Sequence, residues 1–277
     1  MIEEVSELNI DFVSKIKGLV GEQFFEHYYL IDAINEVLEG NVISYEAYYI
    51  FIDNNSWIIG IRISGNDLIY GKNWDKNLIE RTISKINFPI FQPNYHFSGT
   101  NSLVTEILKS SNRKLKIFKN RIFYSCSKIN LFDEQENFKK LLCNKNDREE
   151  LAEMVCEYFE DEYNGENDKD FDSILLQVEN QIENNTLWNL KYDGKIKSIC
   201  SVIQTSNGNP IIGSFSTKRN ERNLGYGTAL IRTVTNNLLK TTNEVWLISD
   251  KESIASNKVF KNIEYKPIYE TTDVLIK

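Results

Sequence analysis

Residues 214–230 read Ser214-Phe215-Ser216-Thr217-Lys218-Arg219-Asn220-Glu221-Arg222-Asn223-Leu224-Gly225-Tyr226-Gly227-Thr228-Ala229-Leu230. The stretch leaves a β-prone run, Pro210–Thr217, and enters a segment in which Leu230, Val234 and Leu238 recur at helical spacing. It therefore joins a strand to an amphipathic helix, with Arg222-x-x-Gly225-x-Gly227 lying across the helix start. Two glycines there let backbone N–H groups approach an anion without Cβ interference. The first-turn amides and the helix dipole favour a phosphate, and Arg222 adds charge. Alone, the glycine pair favours a plainer reading, a turn that enters a helix. A dinucleotide fold is weaker still: no Gly-x-Gly-x-x-Gly is present, and antiparallel hairpins precede the loop where a βαβ unit is needed. The Gly-x-x-x-x-Gly-Lys-[Ser/Thr] loop of nucleoside-triphosphate sites is missing as well.

Working outward, residues 148–163 place Leu151, Met154, Val155, Tyr158 and Phe159 at i, i+3, i+4, i+7 and i+8, which predicts an amphipathic helix. A second helix is expected over 171–184. Strands over 186–193 and 195–204 flank an Asp193-Gly194 hairpin turn, and Ser206-Asn207-Gly208-Asn209 leads into the strand 210–217. A helix near 225–240, a strand 244–249, a short helix near 253–262 and terminal strand material over 264–276 complete the half. The first half repeats this order: a helical region over 9–38, strands 45–53 and 56–65 joined at Asn54-Asn55, a short strand 68–71, a helix 75–87, an extended segment 89–97, a helix 99–109 and a strand 115–128. Both halves carry hairpin, strand, helix, strand, helix, strand, an internal duplication by element order. The expected class is α+β, in two domains, 1–130 and 131–277, parted at the polar stretch Asn130–Asn146.

Composition narrows the function. The 277 residues are 41% hydrophobic and 26% charged, as in ordinary globular proteins. With 32 basic and 40 acidic residues the net charge is −8, which argues against a nucleic-acid partner. No stretch approaches the ~18 uninterrupted apolar residues of a membrane span. The acidic start, Met-Ile-Glu-Glu-Val-Ser-Glu, is unlike a secretory signal, so a cytoplasmic protein is expected. Four cysteines without a Cys-x-x-Cys pair, and two histidines, His27 and His96, leave almost no material for a metal site; none is expected. Nor is there a nucleophile-elbow sequence for a serine or cysteine triad. The charge is uneven. Residues 1–130 hold 14 basic and 15 acidic residues, net −1, and residues 131–277 hold 18 and 25, net −7.

Arg222-x-x-Gly225-x-Gly227 resembles the [Gln/Arg]-x-x-Gly-x-[Gly/Ala] pyrophosphate loop of the GNAT N-acetyltransferase superfamily. Downstream, Leu247-Ile248-Ser249-Asp250 followed by Ser256-Asn257-Lys258-Val259-Phe260-Lys261-Asn262-Ile263-Glu264-Tyr265-Lys266-Pro267 resembles a second signature of bacterial tandem GNAT proteins. That signature reads roughly Leu-[Phe/Tyr]-Thr-Asp, then Ser-Asn-x-[Ile/Val]-Tyr-x-x-Ile-Gly-[Tyr/Phe]-x-Pro. The likeness covers most of 148–277, and the first half resembles the degenerate copy of such proteins, since nothing near 70–76 offers a phosphate loop. The resemblance implies two tandem GNAT-like domains, each a mixed, mostly antiparallel sheet flanked by helices. It also implies acetyl-CoA as cosubstrate, held in the second domain: Phe215, Ser216 and Thr217 would pair with the pantetheine, and the amides of Asn223, Leu224, Gly225, Tyr226, Gly227 and Thr228 would hold the pyrophosphate beside Arg222. Asn257 and Phe260 would lie near the pantetheine. The acceptor amine would attack directly in a ternary complex.

Three positions depart from the family pattern. Phe260 stands where many members carry a tyrosine proposed as general acid for the leaving thiolate, a role worth about 10²–10⁴ in rate. Ser253 stands where an asparagine is common. Glu264 replaces a glycine, and a positive φ there would imply local remodelling. Between Asp147 and Glu183, fourteen acidic residues face two basic ones, Arg148 and Lys169. Most of these charges suit a solvated helix face and an acidic loop, 161–172. In the family this region walls the acceptor pocket, so the acceptor is expected to be a cationic small-molecule or peptide amine. Glu162 falls on the buried stripe of its helix and is the first candidate for the base, with Glu157 and Asp161 behind it. The alternative is a non-catalytic acyl-CoA-binding regulatory module, motivated by Phe260 and the degraded first copy.

Overall fold

Residues with short polar side chains start several helices by capping their own backbone. Asn9 accepts from the Phe12 N–H, Asp75 from that of Leu78 and Asp170 from that of Ser173, each at 2.8 Å. The structure, a computed structural model, describes residues 3–5, 8–21, 23–86, 88–129, 143–165 and 169–277. In the first half, β1 (Glu3–Val5), α1 (Ile10–Val20) and α2 (Tyr28–Leu38) precede β2 (Ser44–Asp53), β3 (Ser56–Ile63) and β4 (Asn66–Lys72). Then come α3 (Lys76–Lys85), β5 (His96–Thr100), α4 (Asn101–Leu108) and β6 (Leu115–Cys126). The second half runs α5 (Arg148–Glu162), α6 (Phe171–Glu183), β7 (Leu187–Tyr192), β8 (Lys195–Ile203), β9 (Ile211–Thr217), α7 (Tyr226–Leu238), β10 (Val245–Asp250), α8 (Ile254–Asn262) and β11 (Lys266–Ile276). The expected order is present in both halves. The helical region 9–38 is two helices, and most of the extended segment 89–97 is a 3₁₀ turn, Phe88–Ile90, and loop before β5.

The chain divides into two compact units, Met1–Ile122 with Tyr269–Lys277, and Phe123–Ile268. The expected boundary at 130 differs from this, and most of the polar stretch 130–146 lies outside the described residues. The last strand makes the difference. Thr271–Leu275 of β11 pairs antiparallel with Thr100–His96 of β5, and Val274 and Ile276 join the core formed by Leu78, Phe97 and Leu103. Hydrophobic pattern marks a strand but not the sheet it enters.

In the first unit the strand order is β1-β2-β3-β4-β5-β11, antiparallel except for the parallel pair β4–β5. The apolar run of β3 reflects helices on both faces of the sheet. Trp57, Ile59 and Ile61 pack with Phe12, Ile16 and Leu30 of α1 and α2, while Ile58 packs on the other face with Leu78, Leu103 and Val104. Each such side chain contributes about 1.5–3 kcal/mol by burial. His27 is enclosed by the rings of Trp57 and Tyr70 at 5.4 and 5.6 Å, and its burial lowers its pKa to about 4. It is therefore a neutral core residue at pH 7.

The second unit orders its strands β6-β10-β9-β8-β7, with β7–β8 and β8–β9 antiparallel and β9–β10 parallel. Leu151, Val155, Ile174 and Val178 of α5 and α6 pack on Leu187, Ile196 and Ile199. Leu230 and Val234 of α7 are fully buried, and Leu238, at the helix end, is half-buried. Each unit is thus a mixed, mostly antiparallel sheet flanked by helices, the α+β class expected.

Glu264 closes the turn after α8 with φ 76, the left-handed region a glycine would occupy. The positive φ named as the condition in the sequence is thus present, carried by a residue with a Cβ. Glu264→Gly is expected to relieve the strain and stabilise the protein by about 0.5–1 kcal/mol, raising Tm by roughly 1–3 °C in calorimetry.

Candidate active site

The site begins with a bulge. β9 and β10 run parallel and pair at Ile211–Trp246 and Ile212–Leu247, where their register ends. Against β8, Ser201 faces Gly213 but Ile199 faces Ser216, so β9 takes three steps where β8 takes two. Ser214, within this irregularity, has φ 45. The backbone of Gly213–Thr217 therefore leaves β10 while keeping β8, and the two parallel strands part at their carboxyl ends. In open sheets, parted carboxyl ends are where ligands bind.

The chain then turns tightly. Lys218 N–H donates to Lys197 O at 3.0 Å, Glu221 N–H to Lys218 O at 2.8 Å, and the Arg222 Nε–H to Thr217 O at 3.1 Å. Lys197 pairs with Glu221. Asn223, at φ 64, and Gly225, at φ 87, swing the chain into α7. A Cβ at Gly225 would meet open space, so this glycine serves the left-handed backbone, and as the residue before the helix it has no side chain to cap it. The first intrahelical bond is Ala229 N–H to Gly225 O at 3.0 Å, and the N–H groups of Tyr226, Gly227 and Thr228 have no intrahelical acceptor. Gly227 has a different task. A Cβ there would lie 2.8 Å from Phe215 Cζ and Thr217 Oγ1, so its absence lets α7 pack close on β9.

The acidic helix α5 is tied to this loop. Arg222 donates to Asp161 Oδ2 at 2.5 Å, and Arg219 donates to Asp161 Oδ1 at 3.1 Å and to Glu160 Oε2 at 2.9 Å. Lys218 pairs with Glu150. Between them lies a cavity of about 320 Å³ lined by Glu150, Glu153, Met154, Glu157, Lys218, Arg219 and Asn220. Glu157 Oε2 is buried and has no hydrogen-bond partner among the described residues. A larger, open groove of about 540 Å³ runs along α6 and is touched by none of the loop residues.

A parted strand pair followed by an uncapped, glycine-started helix is a recognisable arrangement, and residues 149–265 match the model of the acetyltransferase (GNAT) family. Residues 149–265 are a GNAT-family domain. Solved structures share the fold over the whole chain at low identity. A GNAT-family acetyltransferase from Colwellia psychrerythraea is 12% identical, covers 100% of both chains and superposes with a TM-score of 0.61. A GCN5-related N-acetyltransferase from Sphaerobacter thermophilus is 12% identical, covers 98% of this chain and 95% of its own, with a TM-score of 0.61. A tandem GNAT protein from the clavulanic acid biosynthesis pathway is 9% identical over 100% of this chain and 98% of its own, with a TM-score of 0.52. A comparison with curated proteins finds no match.

Within the GNAT domain the expected loop residues lie together. Ser216 is buried and Phe215 and Thr217 are half-buried on the parted stretch of β9, while Arg222, Asn223, Leu224 and Gly225 are exposed along the turn. Asn257 is committed elsewhere: its amide donates to Asp250 O at 2.9 Å and Lys251 O at 3.2 Å, and its oxygen accepts from the Tyr124 hydroxyl at 3.2 Å. It fastens the turn between β10 and α8. Phe260 is 4% exposed and packs on Phe215, Tyr124 and Tyr265. Tyr265 shares a 2.8 Å hydrogen bond with Thr235, and burial raises its pKa well above the usual phenol value, so it serves packing. Tyr226 is half-buried against Tyr192. Glu162 is half-buried and carries its own interaction, at a point where the buried stripe of α5, which ends at Val155, has already given way. Glu157, second in the sequence ranking, is the carboxylate that lines the cavity with a buried, unpartnered oxygen. The expected acidic loop 161–172 lies partly outside the described residues, at 166–168.

What the sequence did not disclose is the pairing of Arg219 with α5. Arg219 belongs to no family signature, and only folding brings it to Glu160 and Asp161. Among the thiols, burial pushes Cys143 up to about 12, leaving it protonated and inert.

Burial acts to raise the Asp161 carboxyl, and the hydrogen bonds from Arg222 and Arg219 outweigh it, holding the pKa below the ordinary 3.8. A depressed carboxylate contributes stability that is present above its unfolded pKa and is lost as pH falls through the folded value. In a side-chain carboxyl NMR titration, Asp161 is expected to titrate below 3.8, and in Arg222→Gln its midpoint is expected to move up toward that value.

Proposed function

We propose that the second unit binds acetyl-CoA and transfers the acetyl group to the amine of a cationic small molecule or peptide, in the cytoplasm. The observation that carries this reading is the parted edge of Gly213–Thr217 running directly into the uncapped amides of Tyr226, Gly227 and Thr228, with Arg222 beside them. These groups suit the cosubstrate's two chemistries. An unpaired strand edge fits the amides of a pantetheine arm, and helix-start N–H groups with a guanidinium fit a pyrophosphate.

The thioester of acetyl-CoA supplies an activated acetyl group. The chain's part is to bind it, to place a backbone N–H of the parted stretch against the acyl oxygen, and to bring up a neutral amine. The last task is the demanding one. An amine of pKa near 10 is nucleophilic in only about one molecule in 10³ at pH 7, a deficit of roughly 4 kcal/mol. Glu157, which lines the cavity beside the loop, would take this role, its carboxylate accepting a hydrogen bond from the ammonium and then the proton. Phe260 offers no phenol to the departing thiolate, and that of Tyr265 is engaged with Thr235. Water would protonate the thiolate, a leaving group stable enough to depart without an acid.

Calorimetric titration with acetyl-CoA tests the binding half. The wild type is expected to bind, and Gly225→Glu, which sets a carboxylate at the amide mouth, to weaken binding by at least about tenfold. No binding to the wild type would sink the proposal. Thiol release across a panel of amines tests the chemistry. Glu157→Gln is expected to lower kcat/KM by roughly 10²-fold or more. Tight binding with no amine-dependent release, unchanged by Glu157→Gln, would instead favour the acyl-CoA-responsive binding module that Phe260 suggests.

A further inference from the structure

Both oxygens of Asp161 are used by the phosphate loop: Oδ2 accepts from Arg222 at 2.5 Å and Oδ1 from Arg219 at 3.1 Å, with Glu160 on Arg219 at 2.9 Å. Asp161 therefore holds the guanidinium that, on the acetyl-CoA reading, belongs to the pyrophosphate. We propose that Asp161 is a built-in competitor of that pyrophosphate, coupling the cosubstrate's site to the charge of the acceptor wall. The inference rests on the function proposed above.

With the loop empty of phosphate, Arg219 and Arg222 neutralise Asp161 and Glu160, and Lys218 neutralises Glu150. The α5 wall is then less negative toward an arriving ammonium than its own residues would make it. A pyrophosphate that takes Arg222 leaves Asp161 with Arg219 alone, so the wall loses one compensating positive charge. The two ligands carry opposite charges, so each improves the site of the other, and the coupling is reciprocal. Asp161 acts through Arg222 and touches neither ligand's reacting atoms, which makes it a positioning residue. Exposed pairs of this kind are worth about 0.2–1 kcal/mol each, enough to tune affinity without locking the loop shut.

The test compares CoA binding by calorimetry in the wild type, Asp161→Asn and Glu149→Gln. Glu149 is an exposed carboxylate in the first turn of the same helix, so its variant removes one negative charge without touching the loop. Asp161→Asn is expected to tighten CoA about three- to tenfold, and Glu149→Gln to change it less than twofold. Inorganic pyrophosphate should show the same ranking. A second arm measures spermidine binding: CoA should strengthen it in the wild type and leave it unchanged in Asp161→Asn. Equal CoA affinity in wild type and Asp161→Asn, or equal tightening in both variants, would overturn the inference alone. Absence of CoA binding in all three proteins overturns the acetyl-CoA reading and this inference with it. Matching thermal unfolding of the three proteins keeps a folding defect from imitating either result.

Discussion

The parting of β9 from β10 at Ile212 is the constraint on which the rest of the second unit depends. One extra residue in β9, accommodated at Ser214 with φ 45, breaks the parallel register while the antiparallel register with β8 resumes at Ser216. The strand continues along β8, but its pairing with β10 stops at Ile212. The same step sets the height at which the chain leaves the sheet. Gly227 can then pack on Phe215 and Thr217, and the start of α7 is directed along the parted edge. The end of the β9–β10 register and the close approach of α7 thus both fall within Gly213–Thr217 and the helix that follows it.

Electrostatics supplies the second layer. The halves' net charges of −1 and −7 suggested an acidic wall waiting for a cation. The structure gives part of this charge a partner: Asp147, just before α5, with Lys191 at 2.6 Å, and within the helix Glu150 with Lys218 and Glu160 and Asp161 with the loop arginines. Surplus counted along a sequence thus overstates the field at the surface. Among the residues lining the cavity, Glu157 has one carboxylate oxygen buried without a hydrogen-bond partner among the described residues. A buried, unsatisfied acceptor costs about 1–3 kcal/mol or more.

Local periodicity made the elements legible. The i, i+3, i+4 spacing of Leu151, Met154 and Val155, the Asp193-Gly194 turn and the strand-to-glycine-to-helix passage at 214–230 each depend on neighbours in sequence, and each appears where expected. Long-range choices were not legible. Nothing in Thr271–Leu275 says that it pairs with β5 of the first unit, because any sheet with an open edge and an apolar face would satisfy its pattern. Glu162 shows the same limit within one helix. A helical wheel places it on the buried side, but α5 buries only Leu151 to Val155 deeply, and beyond that the wheel no longer reports the environment. Glu157 and Arg219 acquire meaning only when the β9–α7 loop folds back on α5.

The duplicated copy shows how little separates a ligand mouth from a closed one. In the first unit the helix after the parallel strand, α3, starts at Asp75, whose carboxylate already occupies the Leu78 N–H. Beyond Ile69, where β4 ends its register with β5, Gly71 N–H donates to Thr100 Oγ1 at 3.2 Å, and Thr100 in turn meets the Tyr269 hydroxyl at 2.5 Å. Side chains fill both places that the second unit leaves to backbone: the strand edge is spanned by a hydroxyl and the helix start holds its own anion. An incoming phosphate would have to displace Asp75, the N-cap residue three positions before the amide it holds. In the second unit no side chain caps the start of α7, and the carboxylate nearest the loop, Asp161, comes from a separate helix and pairs with Arg219 and Arg222 instead of with the helix amides. The two helix starts therefore differ in whether a carboxylate lies next to them in the chain, while both units keep the same element order.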